Sequence, residues 1–569
     1  MDPILTGTLK PKSLAVIGAS SSPEKIGYKV VEGLIVSGYE GAIYPINPKD
    51  PEILGRKAYA SVKDVPYVVD AAVITVPAKF VHNVVRECGE KGVKGVIIIT
   101  SGFGEVGDHE TEDAIVATAK EFGMRILGPN IIGVISNSDK MNASFAPFLP
   151  FAGKASLVSQ SGALLIALDA ASYSRGVGFD KMVSIGNMSD IDFADLIAYL
   201  SEDDNTSCIT FYIEGLKNGR RFMEEALKCD KPIVALKSGV SAHGAAAAAS
   251  HTGSLAGSSK IYEAAFKQCG VSSATDLNDL FDRTQALSLQ PSMKGDNILV
   301  ITNGGGVGVL ATDAAEKVGL PLHFAPQDVQ EELKKHMPEF GSAKNPVDLT
   351  GQAGNEWYYK ATKFAFAHPW VDGLTVLYCE TAVTEPQEIA EHLVRAIKES
   401  GVTDKPVTIS FVGGERCDKA MSWLVSQGIP AYNSPDLSVK ALAALREHQR
   451  MLEARASSAY VPEGIDTAKA RQIISDARAI GRTALTEIEA KRVFKAYGLP
   501  VTGTELARSE EEAVKFANEI GYPVVMKIVS PDILHKSDAG AVKVNIKDEN
   551  MVREAYKVIL ENSLKYKSD

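Results

Sequence analysis

The chain has 569 residues, enough for about four domains of ordinary size. Hydrophobic residues make up 45% and charged residues 23%, the balance of globular protein. A formal net charge of −11, with no long Lys/Arg run, argues against a protein that grips nucleic-acid backbones, and no apolar run reaches the roughly 18 residues of a membrane span.

The N-terminus, MDPILTGTLKPKS, lacks the apolar region of a secretory leader. Its six cysteines (Cys88, Cys208, Cys229, Cys269, Cys379 and Cys417) form no CxxC pair and sit beside no His at metal-ligand spacing. That argues against a zinc site or a disulfide framework, and a cytoplasmic location is expected.

In chain order, short β-branched runs alternate with helix-like stretches: Ser13–Ile17, Ala71–Val76, Gly95–Thr100, Ser156–Ser159, Ser207–Ile213, Pro232–Leu236, Asn297–Thr302 and Gly373–Tyr378. Most are apolar on both faces, as parallel strands under helices must be. The fold class expected is α/β. Junctions are placed at Asn137–Phe151, where periodicity fades, at Gln290–Gly295 and at Ala456–Thr467. The resulting segments are 1–140, 150–290, 295–455 and 468–569. In the last, Thr486 is positioned to cap a helix with Glu489 at the capping-box position.

Strand-then-glycine turns open three segments: VIGASS at Val16, LVSQSGA at Leu157 and ITNGGGVG at Ile301. Such turns suit phosphate handling, because small residues let backbone N–H groups approach an anion at the following helix. In the first turn Gly18, Ala19 and Ser20 are the candidates. The full GxGxxG fingerprint is absent, and a simple strand–helix turn accounts for the pattern equally well. Lys49, in YPINPK, either adds a point charge for a phosphate or is a solvated loop lysine. Thr100, Ser101 and Gly102 close another strand and face the same crevice at the carboxyl ends of the strands.

Residues Ala245 to Ser258 read AAAAASHTGSLAGS. A histidine that is to carry a phosphoryl group needs open space around its ring, N–H donors for the phosphoryl oxygens and a carboxylate that fixes its tautomer. Small neighbours give His251 the space. Ser161 and Gly162, opening a helix, offer donors at its positive end. Glu214, after the strand in FYIEG, offers the carboxylate. By pattern alone, an ordinary loop histidine remains the alternative.

Taken together and in order, SHTGSLAGS with His251, VSQSGA with Ser161, SIGNMSDIDFADL from Ser184 and YIEG with Glu214 resemble the nucleoside-diphosphate-forming acyl-CoA synthetases. That family includes the ADP-forming acetate–CoA ligases and is related to succinyl-CoA synthetase. The resemblance covers nearly the whole chain. It implies a Rossmann-like CoA-binding domain (VIGASSSPEKIG, YPINPK, GPNIIGVI), two flavodoxin-like ligase domains, the second with NGGGVGVLA and NPVDLTG, and the start of an ATP-grasp domain. It implies that His251 carries phosphate between an acyl phosphate and ADP, with Glu214 as its partner and Ser161 and Gly162 as phosphate donors. CoA would contact Gly18, Ala19, Ser20, Lys49, Thr100, Ser101 and Gly102. Asn345 and Asp348 of NPVDLTG are either near-site residues or a structural turn.

From Leu485 the resemblance is to ATP-grasp proteins. Lys527 matches the family's nucleotide-phosphate lysine. His535, in DILHKSD, matches a second relay histidine or is a loop histidine. Nearby Asp538 orients it or caps a turn. CoA, ATP/ADP and Mg²⁺ are the cofactors implied; a small carboxylic acid and phosphate are the further substrates, with no nucleic acid or membrane partner. A complete ATP-grasp domain would need on the order of a hundred further residues. The resemblance therefore implies a fragment, a truncated product or a subunit completed by an ATP-grasp chain; a homo-oligomer such as a dimer is the other assembly expected. The alternative function is a CoA-binding regulatory or scaffold protein that has lost turnover.

Overall fold

The computed structural model describes residues 2–241, 243–244, 258–456, 463–533 and 535–566. The chain divides into two compact units, Met1–Ser457 and Ser458–Asp569.

The first unit holds three sheets. The first is wholly parallel, with strands in the order Ala42–Ile46, Ser13–Ile17, Ala71–Ile74, Gly95–Ile98 and Arg125–Leu127. Its central strands SLAVI, AAVI and GVII are buried at every position, because helices cover both faces. The second sheet runs Val271–Ala274, Ile233–Lys237, Cys208–Ile213, Ala152–Ser159, Phe179–Ser184, Gly133–Ser136 and Met141–Ser144. Its first five strands are parallel. The third is parallel, in the order Val347–Asp348, Ile298–Thr302, Gly373–Cys379, Val407–Val412 and Ala431–Tyr432.

The hairpin Gly133–Ser144 differs from the sequence expectation. It pairs antiparallel onto Phe179–Ser184, so the chain has already entered the second sheet before the stretch read as a junction. Its polar residues hid the strand. Asn142 and Ser144 are buried and satisfy each other: the Ser144 hydroxyl donates to Asn142 Oδ1 at 2.6 Å, and Asn142 Nδ2 donates to the Ala146 carbonyl at 3.0 Å. Buried polar groups paired in this way carry little penalty but erase the period-two pattern.

Shared cores join the sheets. Val16, Val30 and Leu34 pack with Met141, Ala143 and Val158 between sheets one and two. Cys208 and Val234 pack with Ile298, Val300 and Leu442 between sheets two and three. Each fully buried side chain of this size contributes roughly 1.5–3 kcal/mol.

The second unit is smaller. Helices Thr467–Ala479, Glu487–Ala496, Glu510–Ile520 and Glu549–Tyr566 accompany an antiparallel pair, Val524–Lys527 with Val542–Ile546. The capping box expected at Thr486 and Glu489 is present. Arg482 clamps the Glu489 carboxylate at 2.8 and 2.6 Å and holds its pKa down at about 2. Among the described residues, no helix is long and apolar enough to cross a membrane.

Candidate functional site

Strands Ser13–Ile17 and Ala71–Ile74 are neighbours whose connections leave toward opposite edges of the first sheet. Ligands of open α/β sheets bind at such a switch point. Gly18 follows the first of these strands with φ +95°, and a Cβ there would lie 2.6 Å from Thr75 Oγ1 and 3.0 Å from Val76 N. Only glycine fits. The helix Ile26–Val36 sits directly on this turn, since a Cβ on Gly27 would come within 2.0 Å of the Gly18 carbonyl. Among the described residues no side chain caps its N-terminus. Its positive end is therefore available to an anion.

Asn47, which sequence reasoning passed over, organises the turn. Its Nδ2 donates to the Ala19 carbonyl at 2.8 Å, while its Oδ1 accepts from the N–H groups of Lys49 (2.7 Å) and Asp50 (3.1 Å). The Lys49 side chain is exposed. Thr100 donates to the Val76 carbonyl at 2.7 Å, and Gly102 takes φ +106°. Gly18, Ala19, Ser20, Lys49, Thr100, Ser101 and Gly102 thus all lie at the carboxyl ends of the strands of one sheet.

A polar bridge joins this crevice to the second sheet. The N–H groups of Gly102 and Phe103 donate to the Glu105 carboxylate, and the Gly104 N–H donates to Glu112 at 3.0 Å. Asn187, in the loop after Phe179–Ser184, donates to both carboxylates, to Glu105 at 2.7 Å and Glu112 at 2.8 Å. Burial pushes the Glu105 pKa up, but these donors outweigh it and the net shift is downward. Arg125 reinforces the joint with ion pairs to Asp190 (2.9 Å) and Asp195 (3.0 Å). The SIGNMSDID segment is therefore a connector that holds the Gly102 turn against the second sheet.

The second switch point lies between Ala152–Ser159 and Cys208–Ile213. Ser161 caps the helix Gly162–Arg175, its hydroxyl accepting from Leu164 N at 3.3 Å. Gly162 is needed for packing, because a Cβ would lie 2.7 Å from Ile132 Cγ2. Glu214 follows the neighbouring strand and is only 8% exposed. Gln160 spans the two: its Oε1 accepts from the N–H groups of Glu214 and, at 2.9 Å, Gly215. Lys237, one strand further, donates to the Glu214 carbonyl at 2.9 Å. Ser161, Gly162 and Glu214 are thus brought together. Gln160, inside VSQSGA, was not singled out there, and Lys237 has no motif of its own. His251 lies outside the described residues.

The third switch point repeats the pattern. Asn303 pairs with both backbone groups of Cys379, at 2.8 and 2.9 Å, and Gly304 opens the helix Gly305–Lys317 with no side-chain cap among the described residues. Asn345 is a structural brace here. It accepts from Val300 N and donates to the carbonyls of Ile298 and His323, at 2.8–3.0 Å. Asp348 accepts from Thr350 N at 2.8 Å.

In the second unit Lys527 pairs with Glu487 at 2.8 Å, and Lys491 pairs with the same carboxylate at 3.0 Å. Burial raises the Glu487 pKa, but the lysines outweigh it and the net shift is down. These three residues line a cavity of about 540 Å³ with Thr502, Thr504 and apolar Phe516. His535 and Asp538 are exposed on the loop that follows. Among the described residues no group of three or more His, Cys, Asp or Glu is placed to hold a metal ion.

Comparison with known proteins bears on this geometry. Four family models match: a CoA binding domain over residues 12–137, a succinyl-CoA ligase like flavodoxin domain over 152–287, a ligase-CoA domain over 298–457 and an ATP-grasp domain over 476–569. The alpha subunit of acetate–CoA ligase [ADP-forming] I from Pyrococcus furiosus is 52% identical over 452 residues, spanning 78% of this chain and 97% of that subunit. Acetate–CoA ligase [ADP-forming] from Methanocaldococcus jannaschii is 41% identical over 563 residues, 98% of this chain and 79% of the relative. The solved structure of dinucleotide forming acetyl-coenzyme A synthetase 1 from Ca. Korarchaeum cryptofilum, in complex with phosphate and ADP, has a TM-score of 0.78 at 44% identity, over 80% of this chain and 99% of that one.

Proposed function

The chain belongs to the ADP-forming acetate–CoA ligase family, and from that membership we propose that it interconverts acyl-CoA, ADP and phosphate with a carboxylic acid, ATP and CoA. The observation that supports this most is the second switch point, where Gln160, next to the Ser161-capped helix end, holds the peptide of the buried Glu214.

A phosphate oxygen attacks the thioester carbonyl carbon. The C–S bond breaks, and CoA leaves as thiolate with the electron pair. The product is an acyl phosphate. A ring nitrogen of His251 then attacks phosphorus, the P–O bond to the acyl group breaks, and the carboxylate departs. ADP finally takes the phosphoryl group and frees the histidine. Splitting one transfer into covalent steps lowers each barrier. In this reading Glu214 holds the other ring N–H and favours the cation formed on attack. The N–H at Gly162, on the positive helix end, meets the phosphoryl oxygens. Gly18, Ala19, Ser20, Lys49 and Thr100 to Gly102 hold CoA, Lys527 holds nucleotide phosphate, and His535 is a second relay station. The P. furiosus relative is named as a subunit, which supports assembly with further chains.

Acetate is the acid proposed, in line with the names of both relatives. Neighbouring acids differ by a methylene, worth about 1–3 kcal/mol in a pocket. Acetyl-CoA, propionyl-CoA and butyryl-CoA are each incubated with inorganic phosphate while CoA thiol is measured. Phosphate-dependent thiol release, fastest with acetyl-CoA, is the expected result. Thiol release that ignores phosphate, or none from any thioester by a chain that still binds CoA, overturns the proposal.

A further inference from the structure

Two helices beside the first sheet break the ordinary charge rule for helix ends. Aligned peptide groups leave a helix N-terminus positive, so acids and capping oxygens are favoured there and lysines are disfavoured. The helix His109–Glu121 obeys the rule. The Asp108 side chain caps it by accepting from Thr111 N at 3.2 Å, and Glu110 and Glu112 lie in its first turn. The helices Ile26–Val36 and Ala78–Lys91 do the opposite. Among the described residues no side chain caps either, and neither has an acid in its first turn. Instead Lys25 stands at the cap of the first, and Lys79 is the second residue of the other. Both lysines are exposed, and Lys79 lies over the half-exposed Phe80 ring, 5.0 Å from its centroid. Exposed lysines need no partner, so a lack of ion pairs is not the signal. The signal is that both stand where a helix dipole repels them.

The two helices start at one crevice. Ile26–Val36 follows Ser13–Ile17 and Ala78–Lys91 follows Ala71–Ile74, the two strands of the first switch point. A Cβ on Gly18 would meet Val76 N at 3.0 Å, and one on Gly102 would meet Ala78 Cβ at 3.5 Å. The second helix therefore begins between the Gly18 and Gly102 turns. Acids near these turns are engaged elsewhere: Asp50 accepts from the Ser21 hydroxyl at 2.9 Å, and Glu105 takes the Gly102 N–H. Glu24, next to Lys25 in the chain, is exposed. In a chain of net charge −11, positive charge set against two helix dipoles at one crevice is a local rule broken for a ligand. The CoA binding domain model covers all of these residues, and CoA presents a diphosphate and a 3′-phosphate.

We propose that Lys25 and Lys79 bind the phosphate groups of CoA, each as a point charge beside an uncapped helix end. The proposal rests on the assignment of this crevice to CoA. Without ligand, each lysine opposes its own helix dipole. With a phosphate between them, the same lysine and the same dipole act together on the anion.

Calorimetry compares CoA with 3′-dephospho-CoA on the native chain, Lys25→Met, Lys79→Met and Lys63→Met. Lys63 is the control, a lysine of the same domain that pairs with Glu90 in the last turn of Ala78–Lys91. Urea unfolding without ligand is measured in parallel. Lys25→Met and Lys79→Met are each expected to bind CoA about tenfold more weakly, equivalent to ~1.4 kcal/mol. Their ligand-free unfolding midpoints should equal or exceed the native one, because a charge opposed to the dipole is gone. Lys63→Met keeps the native affinity. A loss that persists with 3′-dephospho-CoA assigns the lysine to the diphosphate, and a loss that disappears assigns it to the 3′-phosphate; either supports the proposal. A loss in one variant alone supports that lysine and overturns the other. Native CoA affinity in both variants overturns the proposal, as does an equal loss in Lys63→Met, which reports only the general surface field. Midpoints well below the native one make the lysines structural and overturn it too. A native chain that binds no CoA overturns the assignment of the crevice, and the proposal with it.

Discussion

Asp169 sits on the helix Gly162–Arg175, two turns from the Ser161 cap. Its side chain is fully buried, and among the described residues neither carboxylate oxygen has a hydrogen-bond partner. Burial alone drives its pKa up to about 7. An unfolded aspartate titrates near 3.9. The folded pKa is the higher one, so the folded chain binds the extra proton. Stability from this group is fully present below about pH 4 and is lost as pH rises through 7. The gap between the unfolded and folded pKa values amounts to ~4 kcal/mol at high pH, and integrating between pH 5 and pH 8 gives a loss of ~2–3 kcal/mol. Asp169→Asn has nearly the same shape and no charge to develop. Its amide is buried without partners as well, so its absolute stability at pH 5 falls by ~1–3 kcal/mol. The informative quantity is the double difference. Urea unfolding of the native and Asn chains at pH 5 and pH 8 should show the variant gaining on the native by ~2–3 kcal/mol at the higher pH. A native-to-variant difference that is the same at both pH values refutes the assignment of an uncompensated buried carboxyl.

Gly18→Ala is expected to lower CoA affinity by about tenfold, ~1.4 kcal/mol by calorimetry, because the new Cβ would lie 2.6 Å from Thr75 Oγ1 at φ +95°; native affinity would remove the turn from the CoA site. Asn187→Ala removes the donor shared by Glu105 and Glu112, and the two carboxylates then repel across the Gly102 turn. KM for CoA should rise about tenfold while phosphate KM changes little, and an equal rise in both would mean general loosening instead. Lys181→Met leaves Asp180 and Asp203 without their buried cation and should cost about 3–5 kcal/mol in urea unfolding, and a loss under about 1 kcal/mol would show that water reaches the pair.

What the sequence reveals follows from the range of each interaction. The central strands are legible because a strand covered on both faces must be apolar throughout, as Leu14–Ile17 and Val96–Ile98 are. The Thr486 capping box is legible because its partners are three residues apart. Ser161 and Glu214 are singled out by their places after strands, where the α/β topology concentrates ligands, and the structure brings them to neighbouring strand ends. Gln160, Lys237, Asn47 and Asn187 are not legible. The action of Asn187 depends on Glu105, 82 positions away, and that of Gln160 on an N–H 54 positions away. No local pattern encodes such a pair. The hairpin Gly133–Ser144 is divided for a different reason: Asn142 and Ser144 are buried polar residues satisfied within four positions of each other, and they erase the alternation by which a strand is read.

The ligase reaction proposed here depends above all on a phosphoryl group carried by His251. The native chain and His251→Ala are incubated with acetyl-CoA and labelled inorganic phosphate, without nucleotide, and protein-bound label is assayed for acid and base stability. Acid-labile, base-stable label on the native chain and none on His251→Ala, with CoA binding the same in both, is the expected result. Label of equal extent on His251→Ala, or none on a native chain that binds CoA and phosphate, would contradict the phosphohistidine.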